Sequence, residues 1–415
     1  MRAIRTVQLY SFYVAAFVCS AFGCSRKPGE PYDGVILFAP FNSTETQLIN
    51  NNHEVVHSWQ SDLPPGQCVY LQPDGSLLRT GRLEALGEVF QKTYSKGSGG
   101  RVDWLEWDGT LRWSFALNTE EELLHHDIEP MPNGNLLMLV WVHIPHATAV
   151  AAGCRTSTVD APLLSERIIE VDPATNSIVW QWDAWDHIYQ TNSPRMPGYS
   201  QIADPRRLDV NLQRDPHDWL HFNSLSYHKG RDLIAISCRQ TSEIYLLDHS
   251  TTLAEAKTRS GGDRRVGGDI YARWGNSSDT SRRLFHQHHA NWIPEGCPGA
   301  GNLILFNNGK AKERVFSEVL EVSFDEVSVD FRVVWAYQTN PKGNLYSQYV
   351  SSAQRLPNGN TLICSGCQGM AIEIDMYSNE SWRFEYFAPT RKEWVFRIEK
   401  WPIKAINSKS STRDH

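Results

Sequence analysis

Histidine is concentrated in the middle of this sequence. The chain has 15 histidines, and twelve of them fall between His125 and His289, which is less than half of its 415 residues. Imidazole has a pKa near neutrality, so it can act as a nucleophile, as an acid or base, or as a metal ligand. An excess of this size predicts a functional site in that part of the chain.

Four short motifs hold the strongest candidates for such a site. They are Leu124-His-His-Asp-Ile-Glu129, His217-Asp-Trp-Leu-His221-Phe-Asn-Ser, Ile236-Ser-Cys-Arg239 and Phe285-His-Gln-His288-His-Ala-Asn291. Each motif adjoins a different segment with strand character. A fold that arranges such segments around a central channel would bring the four motifs together.

Two alternating half-units supply the strands that must position these motifs. The first is a tight turn and a short apolar strand, as in Pro132-Asn-Gly-Asn-Leu-Leu and Pro357-Asn-Gly-Asn-Thr-Leu-Ile. The second is a strand, a polar turn and a strand that ends in an aromatic residue, as in residues 104–113 and 168–180. Asn-Gly turns are typical of tight hairpins. Six copies of the second half-unit, each copy part of a repeat of about 60 residues and four strands, predict an all-β, six-bladed β-propeller with one half-unit split between the chain ends.

Charge and composition narrow the classes of partner. A formal net charge of -7 and a pI near 6.1 provide no basic surface for nucleic acid.

The six cysteines beyond residue 30 could pair in an oxidising compartment, but their connectivity cannot be read from the sequence. The close pair Cys364 and Cys367 favours a local disulfide or two buried thiols over a zinc site, because no second such pair completes four ligands. The oligomeric state stays open, and a homodimer is one possibility.

The N-terminus has the pattern of an export signal. Arg2 and Arg5 precede a mostly apolar run that is too short and too interrupted for a membrane span. We therefore expect residues 1–23 to be a signal peptide, and Cys24 to be the first mature residue and a candidate for lipidation. Residues 30–403 are expected to form the propeller domain and residues 404–415 a flexible tail. The expected location is the periplasm, either free or tethered to a membrane through Cys24.

The chain resembles the bacterial aryl-sulfate sulfotransferases, which work without the nucleotide donor PAPS and fold as six-bladed propellers. The resemblance runs from Tyr32-Asp-Gly-Val-Ile-Leu-Phe through His57-Ser-Trp and the four motifs to residues 353–363. It implies a ping-pong transfer without a cofactor, in which a histidine takes the sulfuryl group from an aryl sulfate and passes it to a phenol. By motif position, the resemblance implies His288 as the sulfated residue and His126, His221 and Arg239 as its catalytic partners.

The chemistry of these residue types agrees with the implied roles. Neutral imidazole is available as a nucleophile at pH 7, and the planar Arg239 guanidinium matches two sulfuryl oxygens. His221 or His126 could take the proton of the acceptor phenol and protonate the leaving phenolate. Within the doublets, His125 could replace His126 and His289 could replace His288. Asp127 and Asn223 could orient imidazoles or cap turns.

The histidines also fit two alternative kinds of protein. A Zn or Cu site would suit three converging imidazoles, although Arg239 beside a divalent cation is unfavourable. A non-catalytic exported propeller that binds a sugar, an aryl compound or a protein is the second alternative. The sequence contains no Walker loop, no Gly-x-Gly-x-x-Gly and no Cys-x-Pro-x-Arg sulfatase motif. A structural or surface role is expected for the remaining histidines of the region, namely His143, His146, His187, His217, His228, His249 and His286.

Overall fold

The computed structural model describes residues 29–93, 97–155, 163–212, 218–276, 282–386 and 393–403. The expected signal peptide, Cys24 and the expected tail 404–415 therefore lie outside the described residues. The six-bladed β-propeller predicted from the repeat is confirmed, because six antiparallel sheets of four strands each make up the domain. Among the described residues, no helix is long and apolar enough to cross a membrane.

The strands of blades 1 to 3 follow the chain from the N-terminus. Blade 1 contains β1 (Gly34–Phe38), β2 (Glu45–Ile49) and β3 (Val55–Gln60), and the C-terminal β26 (Glu399–Pro402) completes it. Blade 2 contains β4 (Pro65–Leu71), β5 (Leu77–Arg82), β6 (Gly100–Leu105) and β7 (Leu111–Ala116). Blade 3 contains β8 (Glu122–Pro130), β9 (Leu136–Ile144), β10 (Leu163–Asp172) and β11 (Ser177–Asp183).

Blades 4 to 6 repeat the same order. Blade 4 contains β14 (Phe222–His228), β15 (Leu233–Cys238), β16 (Glu243–Asp248) and β17 (Ala272–Trp274). Blade 5 contains β18 (His288–Trp292), β19 (Leu303–Asn307), β20 (Glu318–Asp325) and β21 (Asp330–Tyr337). Blade 6 contains β22 (Ser352–Arg355), β23 (Thr361–Ser365), β24 (Met370–Ile374) and β25 (Glu380–Glu385).

The remaining elements lie in connections between blades or strands. A short parallel pair, β12 (Ile188–Tyr189) and β13 (Leu208–Asp209), follows blade 3. The helices are α1 (Glu88–Thr93), α2 (His146–Ala151) and the 3-10 turns Ala184–His187, Glu255–Lys257 and Lys342–Asn344. No disulfide joins the six described cysteines.

The ring is closed by the two ends of the chain. β26 pairs antiparallel with β1, in a register that sets Val35 against Trp401 and Leu37 against Glu399. All five residues of β1 are buried, so the closing seam belongs to the core. This arrangement confirms that one blade is split between the chain ends.

Turns and interblade packing explain why the repeat folds in this way. Gly134 and Gly359 both have a φ of 91°, a conformation that favours glycine over other residues. The apolar strands then pack blade against blade, and large side chains such as Trp59, Trp141 and Trp219 are fully buried there. The first strand of each blade is the innermost, and these inner strands line the channel. In the split blade, β26 is the inner strand.

Candidate active site

The inner strands of three neighbouring blades are interrupted where their histidines occur. The pairing of β8 slips between Leu124 and Ile128, that of β14 between Phe222 and Ser224, and that of β18 between His288 and Asn291. His126 and His289 lie within two of these irregularities, with left-handed φ values of 48° and 52°, and His221, with a φ of 54°, directly precedes β14. Each such residue costs on the order of 1–3 kcal/mol, and bulges of this kind turn side chains in new directions. In blades 3, 4 and 5, an irregularity in the inner strand therefore lies at or next to the histidines that reach the channel.

The four residues predicted as catalytic lie near one another. The ring centroids of His126 and His221 are 4.6 Å apart. Phe396, just before β26, lies between the predicted partners, with ring centroids 6.1 Å from His126 and 6.4 Å from His288. Arg239 follows β15, and its backbone N–H donates to the His221 carbonyl at 3.1 Å. The guanidinium lies over the Tyr349 ring, 5.3 Å from its centroid.

His288 is held in one tautomer. Its Nδ1 lies 2.8 Å from Asn308 Oδ1 and 3.1 Å from the His286 carbonyl oxygen. Both partners are acceptors, so Nδ1 carries the proton and Nε2 keeps its lone pair. Asn308 cannot present its amide group there instead, because that group donates to the Ser347 and Val350 carbonyls at 2.8 and 2.9 Å. Burial, and then the charge of Arg239, lowers the pKa of His288 to about 3, and the ring is therefore neutral at pH 7.

His221 is oriented by a carboxylate. Its Nδ1 donates to Asp218 Oδ2, and Asp218 is buried. A carboxylate on Nδ1 fixes the ring and leaves Nε2 as the nitrogen that can exchange a proton with another molecule. Asp218 is therefore a positioning residue for His221.

His126 belongs to a chain of contacts that leads away from the channel. Its Nδ1 lies 2.8 Å from Nδ1 of His125, and His125 Nε2 lies 2.9 Å from Glu166 Oε2. His125 stacks on Trp141, with ring centroids 4.3 Å apart. Burial, followed by the nearby His221, lowers the pKa of His126 well below its usual value, and burial lowers that of His125 to about 3. His126 therefore faces His221, whereas His125 lies behind it.

Close backbone approach seats the His126 ring. Gly97, with a φ of 141°, accepts the His126 N–H on its carbonyl at 2.9 Å. A Cβ atom at Gly97 would lie 2.0 Å from His126 Cε1. Only glycine leaves room for the imidazole at this position.

Asp127 and Asn223 form hydrogen bonds next to the candidate site, to groups other than the predicted catalytic imidazoles. Asp127 accepts hydrogen bonds from Tyr70 at 2.8 Å and from Arg397 at 2.6 Å, so it ties blade 3 to blades 2 and 1. Asn223 donates to the Gln287 carbonyl at 2.8 Å and thereby links β14 to the residue before His288. Asn223 therefore binds the backbone next to His288 and not an imidazole, and Asp127 binds a tyrosine and an arginine.

His289 turns away from the other candidates. Its Nδ1 contacts the Ala353 carbonyl at 3.1 Å, and it lines a cavity of about 470 Å³ at the other end of the channel. Glu129 and Glu399 line that cavity too, and burial raises their pKa values to about 8 and about 7. In each doublet, only one member therefore faces the group of candidates: His126 and His288.

Several site residues were not identified from the sequence. Asn308 directly follows β19 and Glu166 lies in β10, and neither sequence context indicates the partner of the side chain. His286, expected to have a structural or surface role, is buried beside Arg239, and burial together with that charge lowers its pKa to about 2. His187 does have the expected structural role, because it bonds Asp269 and the Ala256 carbonyl at 2.8 and 2.9 Å. No group of three or more His, Cys, Asp or Glu side chains that could hold a metal ion is found within the described part of the chain.

Comparisons with known proteins identify one family. The sequence model of the family described as Arylsulfotransferase (ASST) matches residues 88–401. No curated protein matches the sequence at a significant level.

Three solved structures illustrate the structural similarities. A candidate 6-phosphogluconolactonase of Bacteroides fragilis is 9% identical over 89% of this chain and 98% of its own, with a TM-score of 0.44. The apo form of AztD from Citrobacter koseri is 9% identical over 89% and 98%, with a TM-score of 0.42. An inactive virginiamycin B lyase from Staphylococcus aureus is 8% identical over 90% and 86%, with a TM-score of 0.40. Similarities at this level carry no information about activity.

Proposed function

Because this chain belongs to the arylsulfotransferase family, we propose that it moves a sulfuryl group from a phenolic sulfate ester to a phenol through a sulfohistidine at His288. Membership of the family supports arylsulfotransferase activity in general. The donor, the acceptor and the covalent route are our proposal. The observation that carries it is the fixed tautomer of His288, which has a proton on Nδ1 and a lone pair on Nε2.

In the first half-reaction, His288 Nε2 attacks the sulfur atom. The bond between sulfur and the aryl oxygen breaks, and its electron pair leaves with the phenolate. Because the pKa of His288 is lowered to about 3, the nucleophile needs no prior deprotonation. Asn308 then accepts the Nδ1–H of an imidazolium that forms as the new N–S bond develops, which stabilises that charge.

Arg239 is the group best suited to the sulfuryl oxygens. It is a permanent cation close enough to His288 and His126 to lower the pKa values of both. By analogy with phosphoryl transfer, the transition state is loose, so fixed charge and position carry most of the catalysis. The neutral rings of His126 and His288 leave Arg239 as the positive charge of the group.

Aromatic side chains beside Arg239 support an aryl substrate. Tyr349 stacks with Trp394 at a centroid distance of 5.9 Å, and Phe396 lies against His126 and His288. A phenyl ring gains stacking and edge contacts with such side chains. A substrate ring in this place would have its sulfate oxygens near the guanidinium.

In the second half-reaction, a phenol enters and attacks the sulfur of the sulfohistidine. The phenol has a pKa near 10 and must lose its proton as it attacks. His126 or His221 takes that proton through Nε2, since the Nδ1 atoms of both rings are occupied by His125 and Asp218. Transfer to oxygen restores neutral His288.

Donor turnover and intact mass test the proposal together. The purified chain with 4-nitrophenyl sulfate and phenol is expected to release nitrophenol and to form phenyl sulfate. With the donor alone, one sulfuryl adduct of about 80 Da should accumulate on the protein. Absence of nitrophenol release by folded protein would contradict the activity and leave a binding propeller as the alternative. Turnover without an adduct would contradict the covalent route.

A further inference from the structure

A ping-pong transfer separates two proton movements in time. The leaving phenolate needs a proton in the first half-reaction, whereas the acceptor phenol releases one only in the second. The enzyme must therefore lend a proton and recover it later, or exchange it with solvent. We infer that Glu166, His125 and His126 form a buried proton store that lends this proton and recovers it. The inference rests on the proposed function and adds a source for the proton.

Three side chains lie in close contact between the channel and a carboxyl group. His126 Nδ1 and His125 Nδ1 are 2.8 Å apart, and His125 Nε2 and Glu166 Oε2 are 2.9 Å apart. Two imidazole nitrogens at this distance share one proton, so one Nδ1 donates and the other accepts. In the neutral ring whose Nδ1 donates, Nε2 has no proton, and in the ring whose Nδ1 accepts, Nε2 carries the proton. Glu166, His125 and His126 are 1%, 4% and 3% exposed, which keeps the path out of bulk water.

The surroundings of Glu166 set the direction of the path. Glu166 Oε1 accepts the Phe222 N–H at 2.9 Å, so a proton on this carboxyl lies on Oε2, the oxygen next to His125. Burial and the nearby Asp218 raise the pKa of Glu166 well above its usual value. With Glu166 as the donor, His125 Nδ1–H donates to His126 Nδ1, and the His126 Nε2–H remains for the substrate.

The groups packed around Glu166 are consistent with a neutral acid. Trp141, His125, Asp218 and the backbone of His221 and Phe222 face the carboxyl from blades 3 and 4. None of these groups is a permanent cation that would hold Glu166 ionised. Oε2 approaches His125 Nε2 obliquely rather than along the line of an ideal hydrogen bond, so the carboxyl must turn slightly for transfer.

The first half-reaction balances through this path. As the sulfur–oxygen bond breaks, the phenolate takes the proton of His126 Nε2. His126 Nδ1 takes a proton from His125 Nδ1, and His125 Nε2 takes one from Glu166 Oε2. The products are a neutral phenol, a sulfuryl group on His288 and a Glu166 carboxylate. The acceptor phenol later reverses each transfer as it attacks, and Glu166 regains its proton.

The substitution Glu166→Gln separates proton storage from structure. Glutamine keeps the shape of the side chain and can donate an N–H to His125, but it cannot release a proton. The rate of adduct formation should fall about 100-fold with phenyl sulfate, whose leaving phenol needs protonation, and stay within about threefold with 4-nitrophenyl sulfate, whose leaving group is far more acidic. The matched control is Glu129→Gln, a buried carboxyl with a raised pKa at the other end of the channel, which should leave both rates within about threefold.

The outcomes of these experiments distinguish failure of the proposed proton store from failure of the proposed sulfuryl transfer. Equal loss with both esters, or no loss with either, would overturn the store. If Glu166→Gln does not fold, His125→Phe carries the same test, because phenylalanine keeps the stacking on Trp141 and interrupts the path. Failure of the unsubstituted chain to form any adduct would instead contradict the proposed function.

Discussion

The two histidine doublets look alike in sequence and differ in the structure. In the His125-His126 doublet of β8, the two rings contact each other, and the second ring faces the channel. In the His288-His289 doublet of β18, the rings diverge: the first binds Asn308, and the second contacts Ala353 at the other cavity. The first doublet therefore belongs to one site, with His125 behind His126 on the side away from the channel. The second doublet places its two members at the two ends of the channel.

The difference shows that orientation depends on the partners supplied by neighbouring elements. In both doublets the second residue has the left-handed φ, 48° at His126 and 52° at His289. The same backbone conformation nevertheless sends His126 towards the site and His289 away from it. The partners differ accordingly: His288 contacts Asn308, His289 contacts the Ala353 carbonyl, and His125 lies beside Glu166.

The largest expected effect separates the members of the second doublet. His288→Asn removes the proposed nucleophile, so sulfuryl transfer should fall by at least about 10⁴-fold and the adduct should disappear. His289→Asn, which changes a residue that faces the other cavity, should keep the rate within about threefold. Adduct formation by intact mass and nitrophenol release measure both. An adduct that survives in His288→Asn and is lost in His289→Asn would reverse the assignment.

A smaller effect on the rate of adduct formation is expected from substitution of the asparagines that contact His288 and His289. Asn308→Ala frees the Nδ1–H of His288, so the rate of adduct formation should fall about 10- to 100-fold, while the adduct stays on His288. The matched control is Asn291→Ala, whose amide contacts His289 at 3.0 Å, and it should change the rate by less than about threefold. Single-turnover kinetics and peptide mapping give the comparison. Equal losses in the two variants would show that Asn308 acts only through stability.

The smallest effect concerns pH. The lowered pKa of His288, about 3, means that the ring loses its extra proton near that value and is neutral above it. Protonation would block the nucleophile, so the rate of adduct formation from 4-nitrophenyl sulfate should change less than about twofold between about pH 8 and about pH 5. Stopped-flow measurement of the nitrophenol burst gives this profile. A loss of rate with a midpoint near the ordinary histidine pKa of about 6.5 would contradict a buried, neutral His288.

Sequence patterns predicted the fold for physical reasons and indicated the four motifs of the candidate site, whereas the choice of residues within those motifs came from the resemblance to a family. Asn-Gly turns and alternating strands are local signals, and the clustering of His126, His221, Arg239 and His288 follows once the blades form a ring. Glu166 could not be identified in this way, because its burial depends on blade 4, whose Phe222 N–H binds it. The contact between Asn308 and His288 likewise depends on how β19 and β22 are arranged around β18.

Closure of the ring has a consequence for protein synthesis. Phe396 and Arg397 precede the strand that closes the ring, and they lie against His126 and Asp127, which are made some 270 residues earlier. A growing chain on the ribosome can form blades 2 to 6 as units, but its channel still lacks the inner strand of blade 1. The candidate site therefore gains Phe396 only when nearly the whole chain has been made, and shorter translation products are expected to lack the proposed activity.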